Sequence, residues 1–136
     1  MRFMILVKAS KDSEAGVLPS EELLAAMACY HEQLAKAGVL LDANGLRPTS
    51  KGWRIRYSGG GSSVIDGPFT ETKELVAGYT IIQVRSRDEA LEWTRRFPNP
   101  QNGDGEIEVR PMFEPEDLGP SEAVERFREI VAGTRK

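Results

Sequence analysis

The sequence predicts one α+β domain, an antiparallel sheet with its helices gathered on one face. Three observations carry that expectation. The runs "RFMILVKA" (2–9) and "LVAGYTIIQV" (75–84) are apolar on both alternating faces, as strands covered on both sides are. Each is followed by a segment with apolar residues at helical spacing and then by another strand-like run, so a β-α-β unit occurs twice. The length, 136 residues, with 40% hydrophobic and 29% charged side chains, is that of a single globular unit.

The elements follow in order. In 2–9, Phe3, Ile5 and Val7 share one face and Met4 and Leu6 the other. "KDSEAGVLP" reads as a loop. Ser20 is placed to N-cap the first helix, with Glu21 and Glu22 in the first turn, where acids suit the dipole. Leu23, Met27, Tyr30, Leu34 and Ala37 form its stripe, and Gly38 ends it. A strand at 39–48 is broken by an Asn-Gly pair. "WRIRY" (53–57) alternates Trp53, Ile55 and Tyr57 against Arg54 and Arg56, and "SGGGSS" loops loosely to a short return at 64–65. After 75–84, Ser86 and Glu89 form a capping box opening the second helix. Ala90, Thr94 and Phe97 face inward there, Leu91 and Trp93 flank them, and "PNP" stops the helix. "EIEVRPMF" (106–113) puts Ile107 and Val109 inside. A third helix runs from Ser121 to Ala132, with Val124, Phe127 and Val131 aligned.

This β-α-β-(hairpin)-β-α-β-α order is the split β-α-β, or ferredoxin-like, arrangement. Residues 1–114 form the domain; 115–136 form a helical extension packing on it or on a dimer mate. A sheet with helices on one face leaves the other bare, and 2–9 and 75–84 are apolar on both. A homodimer packed sheet to sheet is therefore expected.

Composition narrows the function classes. The net charge is −3 and basic residues lie scattered among acids, so nucleic acid is not an expected partner. No apolar run approaches a membrane span, and the N-terminus lacks a signal-peptide core, so the expected location is cytoplasmic. The one cysteine, Cys29, forbids an internal disulfide. With one histidine and no HxH, HxxxH or CxxC spacing, no metal site is expected, and Asp66, Glu71 and Glu74 offer magnesium no fixed geometry. Gly59–Gly60–Gly61 lacks the Lys-Ser/Thr of a phosphate loop. No cofactor is expected.

One stretch asks for a reason beyond folding: "DGPFTETKE" (66–74). Asp66 suits an Asx-turn, Gly67 permits unusual φ, Pro68 stops the ladder and Phe69 can anchor beneath the turn. Glu71 and Glu74 flank Lys73. A salt-bridged bend explains the turn and the ring, but not so many ionic groups beside a strand end, where sites gather.

The stretch "DGPFTETKE", with "AGVLLDANGLRP" before it and "GYTIIQV", "DEALEW" and "EIEVRP" after it, resembles the DGPF-motif branch of the YCII-related family over roughly residues 1–114. The family usually carries Ala where this chain has Thr70. The resemblance implies a ferredoxin-like fold dimerising through its sheets into an α/β barrel. It also implies small-molecule chemistry, since some relatives are enzymes, among them a dehydrochlorinase, for which a His–Asp pair has been proposed. A third implication is association with extracytoplasmic-function sigma factors. The family's helix histidine falls about one turn before His31, at Met27.

The candidate site residues follow. His31 lies about 70° from the centre of its helix stripe, at a pocket rim or in solvent beside an acid. Asp66, Glu71 and His31 are the acid–base candidates. Arg54, Arg56, Phe69, Lys73, Glu74, Tyr79 and Arg110 are the ligand-binding candidates. The arginines suit a carboxylate or phenolate, though cross-strand pairing with Glu71, Glu74, Glu106 and Glu108 is their commoner use. Trp53 and Tyr79 are read as core or pocket wall. The expected function is binding of a small organic molecule near the DGPF loop, with cofactor-independent lyase or isomerase chemistry. The alternative is a non-enzymatic ligand-binding or regulatory protein beside a sigma factor.

Overall fold

Arg2–Lys8 (β1) is an inner strand, pairing antiparallel with Val76–Gln83 (β5) on one side and Ile107–Pro111 (β6) on the other. Leu40–Gly45 (β2) pairs with the far edge of β5, giving the order β2-β5-β1-β6. The computed structural model describes residues 1–134. The split β-α-β expectation holds: an antiparallel four-stranded sheet, with β-α-β units through Glu21–Lys36 (α2) and Arg87–Arg95 (α3).

The helices start where their caps put them. The Ser20 hydroxyl accepts the Leu23 N–H at 3.2 Å, and Gly38, at φ +75°, closes α2. The Ser86 hydroxyl accepts the Glu89 N–H at 3.1 Å. The Glu89 carboxylate reaches the Arg85 N–H rather than that of Ser86, so one arm of the expected capping box is displaced by a residue.

The core forms where the two β-α-β units meet. Phe3, Ile5, Ile82 and Val84 come from the sheet, Tyr30 and Leu34 from α2, Val39 from its exit and Ala90 from α3. Fully burying side chains the size of Ile5, Leu34 and Ile82 contributes about 1.5–3 kcal/mol each. Ile107 and Val109 pack against this cluster as expected, with Trp93 and Phe97. Met4, Leu6, Tyr79 and Ile81 alternate with the core residues and are half-buried.

Several local expectations change. Lys11–Glu14 (α1), read as loop, is one helical turn, because the Ser10 and Ser13 side chains cap each other's backbone N–H. The strand at 39–48 contracts to β2. The hairpin lengthens to Trp53–Ser58 (β3) and Gly61–Asp66 (β4), a separate two-stranded sheet turned tightly by Gly59 and Gly60 at positive φ. Trp53, read as core or pocket wall, is 65% exposed there, because the hairpin leaves the main sheet. The third helix is Glu122–Thr134 (α4), meeting the turn Pro115–Leu118; Val124 is buried, while Phe127 is exposed. Among the described residues no helix is long and apolar enough to cross a membrane.

Candidate functional site

The DGPF turn is built onto the turn Thr49–Lys51. The Gly67 N–H donates to the Gly52 carbonyl at 3.1 Å, and the Gly67 Cα lies so close to the Thr49 carbonyl that a Cβ there would collide with its oxygen. The Phe69 N–H donates to the Thr49 hydroxyl at 3.0 Å. That hydroxyl donates to the Glu14 carboxylate, which also accepts the Thr49 N–H. Phe69 is half-buried, with the Arg54 guanidinium 3.7 Å above its ring centre. One polar chain thus ties α1, the 49–51 turn and the DGPF turn together.

The charged groups of the motif face solvent. Asp66 ends β4 opposite Trp53, and Glu71, Lys73 and Glu74 lie at the turn Thr72–Glu74; all four are exposed. Among the described residues their side chains make no hydrogen bond or ion pair, so the Asx-turn expected of Asp66 does not form. Arg56 is exposed opposite Ser63, and Arg110 is exposed with its Nε 3.8 Å from Glu108.

His31 has a more enclosed setting. It is half-buried, on the face of α2 turned to the sheet, and its Nδ1 lies 2.7 Å from the carbonyl of Met27, one turn earlier. A carbonyl only accepts, so Nδ1 carries a proton. Nε2 lies 2.8 Å from the hydroxyl of Thr80, which is buried on β5. No acid takes part in this arrangement. Tyr30 and Phe97 meet the imidazole edge to face. Beside it opens a cavity of about 370 Å³, walled by Val7, Leu24, Met27, Gly78, Thr80 and Phe97. The walls are apolar, and the polar groups converging on them are the imidazole and the Thr80 hydroxyl.

Tyr79 is the other expected residue at this cavity, through its place on β5. Its side chain points to the opposite sheet face, where its hydroxyl donates to Asp42 at 2.9 Å and accepts from Asn44 at 3.0 Å. Asp42 pairs with Ile81 in the register and Ala43 with Thr80, so Asp42 and His31 lie on opposite faces of the sheet. Within one chain they make no His–Asp pair. The structure thus brings His31 to a cavity, stacks Arg54 on Phe69, and leaves Asp66, Glu71 and Arg56 apart from that cavity.

Thr80 and the Met27 carbonyl are the partners of His31 that sequence reasoning missed. A signal was present: on the core-facing half of "LVAGYTIIQV" the hydroxyl of Thr80 stands between Gly78 and Ile82. A polar atom there needs a partner, and an α2 histidine is the nearest chemistry.

The family model for the YCII-related domain matches residues 1–115. The uncharacterized protein R00369 of Rhizobium meliloti (strain 1021) is 35% identical over 100 residues, spanning 72% of this chain and 81% of that protein. A solved structure of 5-chloro-2-hydroxyhydroquinone dehydrochlorinase (TftG) from Burkholderia phenoliruptrix AC1100, in complex with 2,5-dihydroxybenzoquinone, is 16% identical with a TM-score of 0.42. That match covers 84% of this chain and 95% of the other. At that distance neither its ligand nor its reaction carries over.

Proposed function

Since the chain belongs to the YCII-related domain family, we propose that it binds a small organic molecule in the cavity beside His31 and moves a proton on it without a cofactor, in the manner of a lyase or isomerase. One observation carries the reading. The Met27 carbonyl fixes the proton on Nδ1 and leaves Nε2 as the basic nitrogen, facing the Thr80 hydroxyl at the cavity wall. Nε2 accepts the Thr80 proton as the hydroxyl oxygen accepts one from the substrate, so the pair relays a proton out of an apolar, partly enclosed space. Val7, Leu24, Met27 and Phe97 give that space apolar walls.

The motif "DGPFTETKE" supports placing the chain in the DGPF branch of its family. A site at the DGPF loop, with Asp66 or Glu71 as acid or base, is the rival placement. Asp66 and Glu71 are exposed and line no common cavity, whereas His31 and Thr80 meet at one, which favours the His31 cavity. Two copies pair through the sheet face carrying Met4, Leu6, Tyr79 and Ile81. Sedimentation at about twice the 15.1 kDa chain mass supports that pairing, and a monomer mass refutes it.

The test is a ligand-detected NMR screen of phenols and small aromatic acids against wild type, His31→Gln, Thr80→Val, Asp66→Asn and Glu71→Gln. Hits lost in the first two variants and kept in the last two support the cavity. The reverse pattern moves the site to the loop. Binding that persists in all four refutes both placements, and binding without turnover favours the non-enzymatic, regulatory reading.

A further inference from the structure

A second cleft, of about 390 Å³, is lined by Lys8, Lys11, Thr72, Lys73, Gln101 and Glu106. It lies where β1 leaves the sheet and β5 enters it. Three segments meet there, and two hydrogen bonds hold them together. The Ala9 N–H donates to the Leu75 carbonyl at 2.9 Å, pinning the lysine-bearing turn 72–74 beside β1. The Gln101 side-chain amide donates to the Lys8 carbonyl at 3.4 Å, bringing in the 101–106 segment. The clasp of Gly67 and Phe69 on Thr49 fixes the same turn from its other end.

The charges of the cleft do not balance internally. The Lys8 ammonium is answered by Glu108 at 3.1 Å. Lys11 and Lys73 have no ion pair among the described residues, and Glu106, the acid of the cleft, pairs with neither. The Thr72 hydroxyl likewise makes no hydrogen bond among the described residues. Lys11 and Lys73, both exposed, set against Glu106 leave the cleft one positive charge in surplus beside the free Thr72 hydroxyl, in a chain whose net charge is −3. That surplus attracts an anion, and the concave setting focuses its field.

We infer that this cleft is an anion site, separate from the His31 cavity, for a small molecule carrying a phosphate group. Phosphate is favoured over carboxylate by the residue type. Lysines present point charges from separate directions, which suits a tetrahedral oxyanion, whereas a planar carboxylate is matched by the arginine fork that this cleft lacks. Of the charges of "DGPFTETKE", Lys73 acquires a use here: it and Thr72 belong to the cleft, the Gly67 and Phe69 clasp positions them, and the acids Asp66, Glu71 and Glu74 lie outside its lining.

The experiment is a titration with pyrophosphate at low ionic strength, followed by backbone amide NMR on wild type, Lys11→Gln, Lys73→Gln and, as a control, Lys51→Gln. Saturable shifts concentrated at residues 8–11, 72–75 and 101–106 are expected. Lys11→Gln and Lys73→Gln should each weaken affinity about tenfold, as loss of one charge-assisted contact would, while Lys51→Gln leaves it unchanged. No saturable shift at the cleft overturns the proposal, as does equal weakening in all three variants. Citrate binding as tightly as pyrophosphate overturns the phosphate assignment. Because every readout lies outside the His31 cavity, failure here leaves that reading standing, and the converse holds.

Discussion

Thr80 holds its hydroxyl 2.8 Å from Nε2 of His31, across the seam between β5 and α2. The other ring nitrogen is committed to the Met27 carbonyl, so the neutral ring has its proton on Nδ1 and receives the Thr80 hydrogen at Nε2. Imidazole ¹⁵N NMR should find that tautomer in the neutral ring; a predominant Nε2–H form would contradict the geometry. Thr80→Val keeps the side-chain shape and removes the donor. It should cost about 0.5–1.5 kcal/mol of stability, the net worth of one hydrogen bond, while abolishing ligand turnover. Unchanged turnover would remove Thr80 from the relay.

Gly67→Ala should be among the most damaging single changes. The new Cβ would occupy the space of the Thr49 carbonyl oxygen, which is backbone and cannot rotate away. Either the DGPF turn lifts off the 49–51 turn or that turn moves, and both break the Thr49 contacts to Phe69 and Glu14. A loss of about 3 kcal/mol is expected from urea unfolding. A melt coincident with wild type would mean that the two turns do not pack this way in solution.

That clasp shows where sequence reading stops. Turn chemistry identified Gly67 as special for its own φ, but its φ is not positive, and its constraint comes from Thr49, eighteen positions earlier in the chain. The strands and helices were legible because each is a local pattern: Phe3, Ile5 and Val7 alternate, Tyr30 and Leu34 recur at helical spacing, and Ser20 and Ser86 cap. Half of the candidate cavity was legible, since the helix register put His31 near a rim. The partner on β5 depended on strand pairing that no local pattern encodes, so Thr80 read as one more strand residue. The charges of 66–74 were legible as a cluster but not as a direction, and they face solvent.

Phe69→Ala should be milder than loss of a core aromatic. Full burial would make its truncation worth about 3–5 kcal/mol. This ring is half-buried, with the Arg54 guanidinium over its exposed face. A cost of about 1.5–3 kcal/mol is expected, of which the cation–π contact contributes about 0.5–1. Arg54→Gln should reproduce only that smaller part, and the double variant should add nothing beyond Phe69→Ala alone. A cost at Arg54 that survives in the Phe69→Ala background would show that the guanidinium acts elsewhere.

Tyr30 gives the fold an alkaline limit that can be located. Its hydroxyl donates to the Trp93 carbonyl at 2.8 Å, joining α2 to α3 inside the core. Burial pushes its pKa up to about 12 from the ordinary 10.0, with the Arg96 guanidinium pulling weakly the other way. A phenol that holds its proton more tightly when folded makes unfolding release a proton once the pH passes the unfolded value. Its contribution to stability is therefore complete below the ordinary 10.0 and declines as pH rises toward about 12. Lysines also titrate in this range, so the informative quantity is the stability difference between wild type and Tyr30→Phe, measured by urea unfolding across it. That difference should shrink steadily with rising pH, leaving the two proteins more nearly equal at the alkaline end. A difference that stays constant would mean that the Tyr30 hydroxyl is not desolvated between the two helices.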